Sequence, residues 1–159
     1  MKLALLIFCL LLSGCSYFND SYKPSVLSDE KVLSSRKADI QVGRKIIVIG
    51  IVTYLNNVLP SIYKDGEYFF LELFSEVHIP LAFMDFSIIN DSRIKWVREV
   101  SIEDFDEVIN VYNKWSRGYL ISFDQIKYHD KKNIKLHIDI ANIGSMDFDF
   151  TYKVFENQF

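Results

Sequence analysis

The chain has 159 residues, with 18 Lys and Arg against 21 Asp and Glu and a formal net charge of −3. That mild acidity leaves no basic footprint for nucleic acid. Aromatic residues make up 15%, including 13 Phe and 9 Tyr, a composition that suits strands.

Lys2 supplies a short positive start, and Leu3 to Leu12 form an apolar run of ten residues. A membrane span needs about 20 such residues, so length and flanks fit a cleaved export signal over residues 1–14. The run ends in Leu12-Ser13-Gly14-Cys15: an aliphatic residue, two small residues and a cysteine. This segment resembles the bacterial lipobox, and the resemblance covers only the first fifteen residues. It implies that the Cys15 thiol takes a diacylglyceryl group, that cleavage falls before Cys15, and that its new amino group is acylated, with palmitate a typical chain. One chain holds weakly, at ~0.8 kcal/mol per buried methylene, whereas two or three on one residue anchor firmly. An ordinary secretory signal with an incidental cysteine is the alternative. Ser16 follows, rather than the Asp that resembles an inner-membrane retention signal. The expected location is therefore the cell envelope, on an outer membrane facing the periplasm where the host has two membranes.

Loss of residues 1–14 leaves 145, enough for one domain that buries ~68–70% of its unfolded surface. Cys9 departs with the signal and Cys15 carries lipid, so the mature domain is expected to rely on packing, without disulfides or cysteine chemistry. Residues 15–38 read as a lipidated N-terminus and tether. They are polar, contain Lys23-Pro24-Ser25, and have room for a helical turn after Ser28. Residues 39–159 read as a single domain.

Arg44 to Tyr54 is apolar on both alternating faces, as in a central strand, and Asn56-Asn57 and Pro60 end it. Further strands are expected over Glu67–Ser75, Ile79–Ile89 and Ile94–Val100. Ser101 then reads as an N-cap for one inserted helix over 102–115. Ile102, Phe105, Val108, Ile109 and Tyr112 recur at helical spacing, and Gly118 lies beyond its end. Three strands close the chain, over Gly118–Ile126, Ile134–Ala141 and Ser145–Phe155. In the last two, Ile134, Leu136, Ile138 and Ile140, then Met146, Phe148, Phe150 and Tyr152, keep a period of two. Pairing Ala141 with Ser145 leaves Asn142-Ile143-Gly144 as the loop, with Gly144 in the left-handed position. That register sets Ile138 against Phe148 and Leu136 against Phe150. About seven strands and one helix predict a mainly β fold, an antiparallel β-sandwich of immunoglobulin-like type.

The chain carries no Gly-x-Ser-x-Gly, P-loop, His-Glu-x-x-His or dinucleotide pattern. Its imidazoles are His78, His129 and His137; His129 sits in a loop-like Tyr-His-Asp-Lys-Lys cluster, and Glu103 and Asp106 read as surface carboxylates. The expected register also sets His137 against Asp149 and Asp139 against Asp147, a like-charge pair that a divalent cation would relieve. A solvated sheet face is the preferred explanation, so no cofactor or metal is expected. In Glu67–Ser75 both faces are aromatic. Tyr68, Phe70 and Phe74 lie opposite Phe69, Leu71 and Leu73, and become a docking surface unless the 102–115 helix covers them.

These features point to a lipid-anchored, non-enzymatic accessory module for an envelope protein partner. The alternatives are a carrier of an apolar ligand in a barrel-like cavity and an immunity or inhibitor lipoprotein.

Overall fold

A computed structural model of the chain describes residues 25–88, 92–111, 113–127 and 133–151. Helix α1 (Val26–Leu33) is followed by strands β1 (Ser35–Val42) and β2 (Lys45–Tyr54), and then by the single turn of helix α2 (Leu55–Val58). Strands β3 (Glu67–Ser75), β4 (Met84–Ile88), β5 (Ile94–Glu99), β6 (Ser116–Phe123), β7 (Lys135–Ile140) and β8 (Gly144–Asp149) complete it.

All the pairings are antiparallel. They give one sheet in the order β1-β2-β3-β6-β5 and a second in the order β4-β7-β8. Alternation sends Phe69, Leu71 and Leu73 of β3 and Tyr119, Ile121 and Phe123 of β6 inward. There they meet Leu136, Ile138, Ile140, Met146 and Phe148 of the smaller sheet. A Cβ on Gly50 would stand 2.9 Å from Phe148 Cζ and 3.1 Å from Met146 Sδ, so the two sheets approach across a residue without a side chain. The result is a filled β-sandwich. Setting β1 aside, β2-β3-β6-β5 and β4-β7-β8 reproduce the A-B-E-D and C-F-G orders of a constant-type immunoglobulin domain.

β1 is the eighth strand, and its first half falls within the segment expected to be tether. It pairs with β2 from Ser35↔Thr53 to Val42↔Lys45, with an irregularity between Ile40 and Gln41. Ile40 is buried, and its Cγ2 lies 3.0 Å from where a Cβ on Gly144 would stand, so β1 also lies against β8. Ahead of it, the Ser25 side chain caps α1 by accepting from the Ser28 N–H at 3.1 Å. The folded unit thus includes residues 25–38, ahead of the expected boundary at 39.

The expected helix over 102–115 is replaced by one 3-10 turn, Ile102–Asp104, followed by irregular chain. Acidic side chains redirect the backbone hydrogen bonds. Asp104 accepts from the Ser101 N–H and is clamped by Arg98, while Asp106 Oδ1 accepts from the Val108 and Ile109 N–H groups. Ile102 is 83% exposed, so the apparent apolar stripe does not begin on a buried face. Tyr112, the last member of that stripe, lies outside the described residues.

The last hairpin has the expected faces in a register displaced by two residues. Ile138 pairs with Met146, Leu136 with Phe148, and Ile140 with Gly144. The loop is Ala141-Asn142-Ile143, closed by the Ile143 N–H donating to Ile140 O at 2.9 Å. Asn142 takes the left-handed position at φ +63°, and Gly144 has φ +143°. A two-residue displacement leaves every side chain on its own face, so hydrophobic pattern alone does not distinguish the registers.

Candidate functional site

Tyr68, Phe70 and Phe74 share the outer face of the five-stranded sheet and meet three different fates. Phe70 is 1% exposed, inside a second small core with Leu55, Val58, Val108, Ile109 and Leu120. Residues 105–111 cover it as expected, in irregular rather than helical form, and α1 adds Leu27. Phe70 is therefore packing, not docking surface. Tyr68 is half-buried. Its hydroxyl donates to Asp65 Oδ1 at 2.6 Å, and its ring stands 5.1 Å from Tyr63 and 6.2 Å from Trp96. Phe74 is also half-buried and lines a shallow hollow.

The cover is held down by a lysine. Lys31 Nζ of α1 donates to Asn110 Oδ1 at 3.0 Å and lies 5.5 Å from the Phe70 ring centroid. Burial pulls its pKa below the ordinary lysine value, against the opposing fields of Glu72 and Asp106.

On the polar face of the smaller sheet the observed register pairs unlike groups between β7 and β8 and sets the like-charge pair between β7 and β4, Asp139 opposite Asp85. His137 sits opposite Asp147, with Nδ1 2.7 Å from Oδ1, and Lys135 opposite Asp149, with Nζ 3.5 Å from Oδ2. Asp139 faces Ser145 on one side and Asp85 of β4 on the other. Among the described residues no group of three His, Cys, Asp or Glu side chains is placed to hold a cation. Asp139, Asp147 and Asp149 are exposed on this face and His137 is half-buried.

The described charge deepest in the core is Glu67, 0% exposed at the start of β3. It accepts from the Tyr54 hydroxyl and, at 3.0 Å, from the Ile126 N–H. Tyr54 in turn stacks on Phe69 at 5.1 Å. This arrangement ties β2, β3 and the chain after β6 together.

Surface concavities lie at both ends of the sandwich, and one of about 1020 Å³ is bounded by Ser34, Arg36, Asn56, Pro60 and Asp149 beside α1. The β1–β2 turn, the loops 76–83 and 141–143 and the two ends of the 100–115 segment lie at one end of the sandwich, while the middle of that segment crosses the outer face to meet α1. At the loop end two hollows of about 360 Å³ and 250 Å³ share Ser75, Glu76 and Trp115 as walls. Trp115 is 66% exposed, and the exposed Val77, Phe105 and Ile46 line the hollows on either side of it. None of these four was singled out from sequence as a surface residue. The available signal was a tryptophan set in the polar, turn-like Asn-Lys-Trp-Ser-Arg-Gly stretch. Among the described residues no helix is long and apolar enough to cross a membrane.

Site and fold together describe an immunoglobulin-type sandwich with an added edge strand and an aromatic loop end. No family model, curated protein or solved structure matches the chain significantly.

Proposed function

We propose that this protein is a lipid-anchored, non-enzymatic accessory module of a bacterial cell envelope. It is acylated at Cys15 and works on a protein partner beside the membrane, on the periplasmic side of an outer membrane where the host has one. The observation that carries the reading is the order Leu12-Ser13-Gly14-Cys15 directly behind a ten-residue apolar run. The domain behind it supports a binding role. Its polar side chains meet in cross-strand pairs on the face of the smaller sheet, and two of its hollows flank the exposed Trp115. A carrier of an apolar ligand needs a chamber, whereas here the space between the sheets is occupied by interleaved Phe69, Phe123, Leu136 and Phe148.

The test is metabolic labelling with an alkynyl palmitate in the native host, with fractionation and intact mass. Label and protein are expected in the membrane fraction, and Cys15→Ser is expected to abolish the label and release the chain. Unmodified mass with the native chain in the aqueous fraction overturns the proposal.

A further inference from the structure

Helix α1 has eight residues, none of them buried, and Val26, Val32 and Leu33 stand exposed to solvent. A helix this short is marginal in water by itself, where roughly 12–15 residues are needed. Its C-terminal end is tied to the sheet. The Ser35 hydroxyl donates to Lys31 O at 2.6 Å, and the Tyr54 N–H donates to Ser34 O at 2.9 Å. The rest depends on the Ser25 cap and on one docked face, where Leu27 and Lys31 lie four residues apart. Leu27 packs against the small core around Phe70, and Lys31 reaches both Asn110 and the Phe70 ring.

The cover, residues 105–111, depends on the helix in turn. Its backbone bonds shape the loop from within. The Asp106 N–H donates to Ile109 O, and Asp106 Oδ1 accepts from the Val108 and Ile109 N–H groups. The cover is fastened to the sheet by the burial of Val108 and Ile109, and to α1 through the Lys31–Asn110 bond, which joins positions 79 apart in the chain. The ammonium of Lys31 is also favoured by the fields of Glu72 on β3 and Asp106 in the cover. Without the helix the cover loses Leu27, a cation and a hydrogen-bond donor together. Without the cover the helix loses the surface that keeps it helical. Elements that support each other in this way open together.

We infer that α1 and residues 105–111 form a latched flap that opens as one unit ahead of the sandwich, with Lys31 as the latch, and that opening bares an apolar groove over Phe70 and Leu120 on the outer face of the five-stranded sheet. The flap couples the state of α1 to the accessibility of that face. It needs no acyl group at Cys15.

The experiment is native-state amide exchange of the full chain in rising, sub-denaturing urea. Helix α1 and residues 105–111 are expected to share one opening free energy and one urea dependence, both smaller than those of β2, β3 and β6. Ser25→Ala weakens the helix cap, and is expected to quicken exchange roughly fivefold in α1 and by the same factor in 105–111. Lys31→Met keeps the apolar stem and the helix propensity while removing the ammonium, and is expected to quicken both segments roughly tenfold and leave the strands alone. Asn110→Ala, made in the cover, is expected to quicken α1 reciprocally. A variant that quickens α1 and leaves 105–111 at its native rate, urea dependences that differ between the two, or protection of both equal to that of the central strands overturns the inference.

Discussion

Tyr54 brings a phenol into the apolar interior and Glu67 brings a carboxylate, and each gives the other a partner. Burial first, and then the bond to Glu67, pushes the Tyr54 pKa far above its ordinary value of 10. In the unfolded chain the phenol ionises near pH 10, and in the fold it does not. The unfolded state then binds fewer protons, so stability present below pH 10 is lost as pH rises beyond it. Tyr54→Phe is expected to flatten that alkaline loss in urea titrations between pH 8 and 11, without abolishing it, since burial also raises Tyr63 and Tyr119. At neutral pH the same substitution removes a donor from a buried acceptor and is expected to cost about 1–3 kcal/mol. Gly50→Ala tests the close approach of the sheets. Its Cβ meets Phe148 and Met146, and overpacking of this kind costs about 1–3 kcal/mol, read from the same urea midpoints.

At the level of elements, the seven strands of the immunoglobulin order are legible in the sequence, because each carries a run of β-branched and aromatic residues or a clean period of two. β1 is not legible. Its sequence, Ser-Arg-Lys-Ala-Asp-Ile-Gln-Val, turns only Ala38 and Ile40 toward the core, too little pattern to separate it from a polar tether. The spacing over 102–112 misleads for the opposite reason. Val108 and Ile109 are both buried, as a loop crossing the sheet can arrange, while Asp104 and Asp106 capture the backbone donors a helix would use. The loop-end surface was illegible because its members come from separate loops that only the fold assembles. Two outcomes follow at this scale. A chain beginning at Asp39, without α1 and half of β1, is expected to lose about 3 kcal/mol or more relative to one beginning at Ser25, measured by urea unfolding. Asp104→Ala removes both the Arg98 clamp and the reciprocal cap with Ser101. Amide exchange is expected to quicken across 101–111 while the strands keep their protection.

Taken whole, the sandwich is asymmetric along its edges. β1 lies against β8 on one side, with Arg36 Nε donating to Asp149 O at 2.9 Å, while β4 and β5 each have one sheet neighbour on the other. It is asymmetric along its length as well, since the β1–β2 turn and the loops 76–83 and 141–143 gather at the end away from Ser35.

In the sequence nine residues, Ser16 to Pro24, lie between Cys15 and Ser25, the first residue described. Fully stretched, that leash measures roughly 30–36 Å. Under the proposed acylation at Cys15, Ser25 stays within that distance of the bilayer surface, so encounters run by lateral diffusion rather than by free travel through the compartment. A partner under the same proposal resides in, or is delivered to, that thin layer.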